Sequence, residues 1–195
     1  SAQNFIPNAN LKPEQTTSYE IGTDIRFFKD RFNVDFTYYN ALTKDQIISL
    51  PIAISSGFNQ QVVNGGEVRT SGIEVIAGIT PIVNENFRWN TTFNFSTNKS
   101  VVESLPQSDG RLTLAFSRIY DSANQTVFFQ VEEGGEVGDI YGTGYLRNDD
   151  GDFIIDNNGR FIADNNLKKI GNYTADFNLG WNNDFRYKQW SASFL

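Results

Sequence analysis

Along much of the chain, apolar and polar positions alternate with a period of two. From Thr17 to Phe28, Tyr19, Ile21, Thr23, Ile25 and Phe27 fall on one side. Glu20, Gly22, Asp24, Arg26 and Phe28 fall on the other. After Lys29-Asp30 the alternation restarts, with Phe32, Val34, Phe36 and Tyr38 opposite Arg31, Asn33, Asp35, Thr37 and Tyr39. Two such runs about a short polar turn predict a β-hairpin. The unit recurs with Ile73, Val75, Ala77 and Ile79, a turn at Pro81 to Asn86, and Phe87, Trp89, Thr91, Phe93 and Phe95. It recurs again from Tyr173 through Ala175, Phe177, Leu179 and Trp181 to Phe185 and Tyr187, with a turn at Lys188-Gln189 and a restart at Trp190, Ala192 and Phe194. The pattern predicts six antiparallel strands and no amphipathic helix.

The connections alternate in kind. Those after the first, third and fifth strands are short. Those after the second and fourth are long, spanning Thr43 to Glu67 and Lys99 to Asn172. In an up-and-down sheet successive connections leave from opposite edges, so the short turns gather on one side and the long loops on the other. The second long loop carries signals of its own: Thr126 to Val131 predicts a short strand, and Asp150-Gly151 and Asn158-Gly159 are hairpin-turn dipeptides. It is expected to be a small folded excursion.

The two faces of the strands differ. On the first five strands the apolar face carries no Asp, Glu, Lys or Arg, whereas the other holds Glu20, Asp24, Arg26, Arg31, Asp35, Glu74, Arg88 and Asp176. A soluble sheet with one face in a core accounts for this. Strand length favours a second account. Soluble strands run about 5–6 residues, and a tilted membrane strand needs about 9–11, close to the runs seen here. Aromatics cluster at both strand ends, with Phe27, Phe32, Phe87, Trp89, Tyr187 and Trp190 beside the short turns and Tyr19, Tyr38, Phe95 and Tyr173 near the long loops. Two aromatic girdles around an aliphatic band mark a transmembrane β-barrel. Fold class is therefore expected to be all-β, an incomplete up-and-down barrel of about six strands with long extracellular loops. The alternative is a soluble β-sandwich or barrel that binds carbohydrate.

Composition narrows the chemistry. The 195 residues include no Cys, His or Met, 14% are aromatic, and the formal net charge is −7. Disulfides, thiolate zinc sites, Ser-His-Asp triads and imidazole acid-base catalysis are thereby excluded. Carboxylate chemistry survives among the 23 Asp and Glu, but no spacing separates a glycosidase pair from solvated turn residues such as Asp149 and Asp150. No catalytic residue, cofactor or metal site is expected. The run from Asn148 to Gly159 fails both registers of a calcium loop: Asn165 stands where the twelfth-position Glu belongs if Gly159 is the central glycine, and Leu146 stands first if Gly151 is. Gly134-Gly135, Gly138, Gly142 and Gly144 lack the context of a nucleotide loop. Scattered basic residues argue against nucleic acid. No stretch of 18 apolar residues predicts a membrane helix. A mean hydropathy of −0.41 is compatible with a barrel whose lumen face and loops are polar. The start at Ser1-Ala2 and the stop at Phe194-Leu195 inside an alternating run suggest a piece of a longer polypeptide.

Asn10-Leu11-Lys12-Pro13-Glu14 followed by Ser18-Tyr19-Glu20-Ile21-Gly22 resembles a segment of TonB-dependent outer-membrane receptors. Phe36-Thr37-Tyr38-Tyr39-Asn40, Thr43-Lys44-Asp45-Gln46-Ile47, Val63-Asn64, Gly66-Glu67-Val68 and Gly72-Ile73-Glu74 resemble the SusC/RagA type. So do Ile140-Tyr141-Gly142, Gly144-Tyr145-Leu146, Leu167-Lys168-Lys169-Ile170-Gly171-Asn172 and Phe185-Arg186-Tyr187-Lys188. The resemblance implies that residues 1–195 are a late part of a barrel of about 22 strands, without the N-terminal plug or TonB box. It implies a cell outer membrane location in a Gram-negative bacterium. It also implies import of glycans or peptides, powered through TonB and assisted by a SusD-like surface lipoprotein. For a glycan importer, the candidate substrate-contacting residues are the loop aromatics Phe116, Tyr120, Phe128, Phe129, Tyr141 and Tyr145, set among Asp, Asn and Arg. The alternative is that they pack the loop on itself or on a partner.

Overall fold

The computed structural model describes residues 5–52, 54–106, 110–122 and 125–195, with the backbone alone at 51, 54, 113–118, 120–122 and 125. The chain divides into two compact units, a wall unit of residues 16–42, 69–100 and 175–195 and a loop unit of residues 1–15, 43–68 and 101–174. Among the described residues the sole helical element is a three-residue 3-10 turn at Ile54–Ser56.

The wall is a six-stranded sheet. Its members are β2 (Gln15–Phe27), β3 (Phe32–Lys44), β6 (Glu67–Val83), β7 (Phe87–Ser104), β12 (Asn178–Tyr187) and β13 (Trp190–Phe194). Neighbours in space are neighbours in this series, with β2 and β13 at the edges, so the predicted up-and-down order is the observed one. Register confirms the two faces. Across the antiparallel β7–β12 pair, Phe87, Trp89, Phe93 and Phe95 stand opposite Tyr187, Phe185, Trp181 and Leu179. The intervening pairs Arg88–Arg186, Asn90–Asp184, Thr92–Asn182 and Asn94–Gly180 form the polar face. Aromatic rings stack across strands, with centroids 5.6 Å apart for Phe93 and Trp181, 5.5 Å for Trp89 and Phe185, and 5.4 Å for Phe185 and Phe194. Such offset pairs add about 0.5–1.5 kcal/mol each beyond area burial.

One pair interrupts the apolar face. Thr91 and Asn183 are directly opposed, and both are covered. Trp89 Nε1 donates to Asn183 Oδ1 at 3.1 Å, and Trp181 Nε1 donates to Thr91 Oγ1 at 2.7 Å. The two polar side chains thus serve as acceptors for the two flanking indoles, which explains the missing apolar residue at 183.

Two boundaries depart from the sequence expectation. β7 runs 18 residues to Ser104, well into the stretch expected to be loop from Lys99, while the 17-residue β6 begins at Glu67, where the loop before it is expected to end. A strand keeps its backbone partners beyond the apolar band, but it no longer needs an apolar face there, so the alternation fades before the pairing does. β12 begins at Asn178, not Tyr173. Upstream, the backbone is engaged elsewhere: Tyr173 N donates to Gly138 O at 3.2 Å, Thr174 N to Asn172 Oδ1 at 2.7 Å, and Asp176 O accepts from Thr97 Oγ1 at 2.9 Å. The first short turn is tight, and Phe28, Lys29 and Asp30 all have positive φ, from 55° to 63°.

The loop unit is folded, as its internal signals predict. A small sheet joins β1 (Phe5–Ile6), β5 (Gln60–Asn64) and β4 (Ile47–Pro51), with β1 parallel to β5. A second, four-stranded sheet orders β11 (Ala163–Asn172), β10 (Asp139–Tyr145), β9 (Gln125–Glu132) and β8 (Arg111–Ser122). β9 contains the strand expected at Thr126 to Val131. Val102, Leu112 and Val131 form the buried centre, with Ile48, Leu50, Val68, Leu105 and Val137 packed around them. Asn64 ties the N-terminal segment to this unit. Its Oδ1 accepts Lys12 N at 2.7 Å, while Nδ2 donates to Lys12 O and Asp45 O, both at 2.8 Å. Glu14 Oε1 accepts Ile47 N at 2.7 Å. The Lys12-Pro13-Glu14 and Val63-Asn64 motifs are therefore two halves of one joint.

Candidate functional site

Between β10 and β11 the chain forms two outer hairpins with the same construction. Residues 147–154 and 155–162 are an eight-residue repeat, Arg-Asn-Asp-Asp-Gly-Asp-Phe-Ile followed by Ile-Asp-Asn-Asn-Gly-Arg-Phe-Ile. The bonds repeat with the sequence. Gly151 N donates to Asn148 O and Gly159 N to Asp156 O, both at 3.0 Å. Asn148 N donates to Asp152 O at 2.9 Å and Asp156 N to Arg160 O at 2.8 Å. Asn148 Oδ1 accepts Asp152 N, and Asp156 Oδ1 accepts Arg160 N. The glycines are required, since Gly151 and Gly159 have φ of +89° and +76°. Bridges Arg147–Phe153 and Ile155–Phe161 close the arms.

At their base the backbone closes a ring. Ile154 N donates to Leu146 O at 3.0 Å, Ile162 N to Ile154 O at 3.1 Å, and Leu146 N to Ile162 O at 2.9 Å. The three arms of this junction are the two hairpins and the β10–β11 stem. One aromatic precedes each ring residue: Tyr145, Phe153 and Phe161. Their centroids are 6.2, 5.3 and 5.0 Å apart. Phe153 and Phe161 are 43% and 54% exposed. The Arg147 guanidinium lies 3.7 Å over the Phe153 ring and donates to Gly151 O at 2.5 Å. This open aromatic triad, flanked by Asp and Asn side chains of the turns, can stack on the C–H face of a sugar ring or on an apolar side chain. The Asp156 carboxyl is held below the usual range by the amides of Arg160 and Asn158, so it stays an acceptor.

The sequence-predicted residues distribute unevenly. Tyr145 belongs to the triad. Phe128 and Tyr141 are paired across β9 and β10 and are 9% and 8% exposed. Phe129 packs edge-on against Tyr173 with centroids 5.6 Å apart. Phe116 and Tyr120 lie on β8, and their side chains are outside the described residues. Phe153 and Phe161 were not among the expected residues; the eight-residue repeat was the signal that marks them.

Two charged clusters brace the sheet behind the junction. Glu132 Oε1 accepts Arg111 Nε at 3.0 Å and Gln130 Nε2 at 2.8 Å. Burial, with the Glu132 carboxylate beside it, pushes the Tyr141 hydroxyl up to about 12. Asp139, 1% exposed, opens β10. Its Oδ1 accepts Lys169 Nζ and Asn172 Nδ2, both at 2.7 Å, and Oδ2 accepts Glu136 N at 3.0 Å. Burial pulls its carboxyl upward, but Lys169, the Glu136 amide and Asn172 outweigh it and hold the group below the usual range. Among the described residues no group of three or more Asp and Glu converges as a metal site.

A family model described as "TonB dependent receptor-like, beta-barrel" matches residues 1–194. The chain is 32% identical over 207 residues to TonB-dependent receptor P3 of Formosa agariphila, covering 96% of this chain and 20% of that protein. It is 31% identical over 103 residues to TonB-dependent receptor SusC of Bacteroides thetaiotaomicron, covering 52% of this chain and 10% of that one. Among solved structures, the RagAB peptide transporter superposes with a TM-score of 0.70 at 18% identity, over 92% of this chain and 20% of that chain. The chain thus spans about a fifth of the first relative and of this structure.

Proposed function

The chain belongs to the TonB-dependent receptor β-barrel family, and from that premise we propose that it supplies wall and outer loops to an importer of oligosaccharides. Barrels of this family lie in the outer membrane, which removes the soluble carbohydrate-binding alternative. In that setting the stacked aromatic face of β7, β12 and β13 meets lipid, and the Arg88–Asn94 side of β7 faces the lumen. Passage needs binding and gating, with no covalent step. The proposal extends to the whole receptor: energy reaches it through TonB, and a SusD-like surface lipoprotein cooperates in capture.

The observation that carries the cargo assignment is the open triad of Tyr145, Phe153 and Phe161. Three rings within 6.2 Å of one another, edged by planar carboxylates and amides, match the alternation of C–H faces and hydroxyls on a sugar. Phe128 and Tyr141, buried and paired across β9 and β10, belong to the sheet whose strand β10 carries Tyr145. The test uses the complete receptor in detergent, titrated with mixtures of neutral oligosaccharides and of oligopeptides. Phe153→Ala with Phe161→Ala is expected to weaken glycan binding about tenfold, equivalent to about 1.4 kcal/mol, with the β spectrum unchanged. Binding of peptides alone would replace the glycan assignment. Unchanged glycan affinity in the double variant would remove the triad from the site.

A further inference from the structure

We propose that Arg88 and Arg186 form an oxyanion site on the polar face of the wall, beside the short turns, and that its occupant is a carboxylate of an acidic peptide segment. The two arginines are direct cross-strand partners. Side chains so placed have Cβ atoms about 4.5–5.5 Å apart, and like charges directly opposite destabilise a sheet. No ion pair on the wall relieves the conflict, although Asp184 lines a groove with both arginines. Among the described residues no carboxylate pairs with either guanidinium. Other wall arginines are engaged: Arg26 pairs with Asp24 at 2.9 Å, and Arg31 donates to Thr80 O and Pro81 O at 2.7–3.1 Å. Two opposed arginines without an ion pair stand out in a chain of net charge −7.

The pair is also preorganised. Arg88 Nε donates to Asn90 Oδ1 at 3.1 Å, and the same oxygen accepts Thr80 Oγ1 at 2.9 Å. Arg186 Nε donates to Lys188 O at 3.4 Å, and Lys188 N is tied to Asn86 O of the neighbouring turn at 2.8 Å. Each fork is steered through Nε, which leaves its Nη edge for a ligand. Asp184, the nearest acid along β12, is occupied by Asn182 Nδ2 and Ser193 Oγ, both at 2.8 Å. Where the turns meet, Arg88, Arg186 and Lys188 line a cavity of about 240 Å³, with Glu85 the one acid at its rim. The same two arginines line an adjoining groove of about 400 Å³ with Asn90, Asp184, Ser191 and Ser193, so the chemistry of the paired forks, rather than volume, selects the occupant. Planar carboxylates fit the guanidinium fork in bidentate fashion. Val83 and Phe87 also line this cavity, so the competition between phosphatidylglycerol and dissolved phosphate is what separates a lipid source from a peptide one.

The complete receptor in zwitterionic detergent at low ionic strength provides the test. A tetraglutamate peptide bearing a neutral fluorophore is titrated and followed by anisotropy, beside its tetraglutamine counterpart, inorganic phosphate and phosphatidylglycerol in the micelle. The acidic peptide is expected to bind, and the glutamine peptide not. Arg88→Gln and Arg186→Gln are each expected to weaken binding about tenfold, and Arg186→Lys, which keeps charge but loses the fork, by less. Arg26→Gln, whose charge is already paired, serves as the control and is expected to change nothing. Equal weakening by Arg26→Gln, or full binding by the Arg88→Gln, Arg186→Gln double variant, would overturn the site. Displacement of peptide by phosphatidylglycerol more effectively than by dissolved phosphate would overturn the occupant. Should the glutamine variants fail to fold, the wild-type comparison of the two peptides decides.

Discussion

Replacing Asp139 with Asn should loosen the β10–β11 pair while leaving the barrel wall intact. The carboxylate accepts three bonds through two oxygens, and Asn keeps only one of those oxygens. Whichever way the amide turns, its NH2 group faces a donor: Lys169 and Asn172 on one side or the Glu136 amide on the other. An unmatched buried polar group costs about 1–3 kcal/mol, and hydrogen bonds to charged groups contribute about 1.5–3. Lys169 is 44% exposed and can turn back to water, so the lower part of the summed range applies. A loss of about 2–3 kcal/mol corresponds to a roughly 30- to 150-fold rise in the open population. Hydrogen exchange by mass spectrometry on the detergent-solubilised receptor reads this out, in peptides covering Asp139–Tyr145 and Ala163–Asn172. The pH dependence is fixed in sign. The folded carboxyl lies below its unfolded value, so its contribution is full above about pH 4 and disappears as pH falls through the lowered folded value. Lys169, raised chiefly by its hydrogen bond to Asp139, contributes fully below its unfolded value of about 10.4, and that contribution fades as pH rises through the higher folded one. Wild type and Asp139→Asn should therefore differ most across the intervening plateau. Equal exchange at neutral pH, or a gap that widens in acid, would refute the reasoning.

Three further outcomes are expected, each read as a shift in denaturant midpoint in detergent. Asn183→Leu should destabilise the wall by about 0.5–2 kcal/mol despite adding apolar surface, because Trp89 loses its acceptor in lipid; an unchanged or raised midpoint would contradict this. Gly72→Ala should cost about 1–3 kcal/mol, since a Cβ there would lie 2.5 Å from Thr97 O and collide with the Tyr39 hydroxyl. Lys29→Gly should stabilise by about 1 kcal/mol, as it removes one left-handed side chain from a turn holding three in a row; a loss of stability would show that the Lys29 side chain has a role of its own.

The wall was legible because lipid imposes a rule the sequence must obey at every second position. Where that rule lapses, so did the reading. The far ends of β6 and β7 carry polar residues on both faces and gave no alternation, yet they continue to pair. The Tyr173 to Phe177 stretch shows the opposite failure, good alternation on a backbone whose donors and acceptors are committed to Gly138, Asn172 and Thr97. The parallel pairing of β1 with β5 depends on Asn64 reaching Lys12, a contact across 52 positions that no local pattern encodes. At the candidate site, aromatic identity alone could not separate Phe128 and Tyr141, which brace a sheet, from Phe153 and Phe161, which face outward. The internal repeat at 147–162 could have separated them. It places one aromatic at the same point of each turn, where the short arm leaves no layer above to cover it.

The ring of Leu146, Ile154 and Ile162 has a consequence for how such a receptor can change. Each outer arm begins and ends on that ring, and each satisfies its own turn bonds. An arm can therefore be lengthened, shortened or exchanged for another hairpin while the stem beneath it keeps every partner it has. The junction works as a socket: variation in the arms is decoupled from the bonds that hold the β10–β11 stem together.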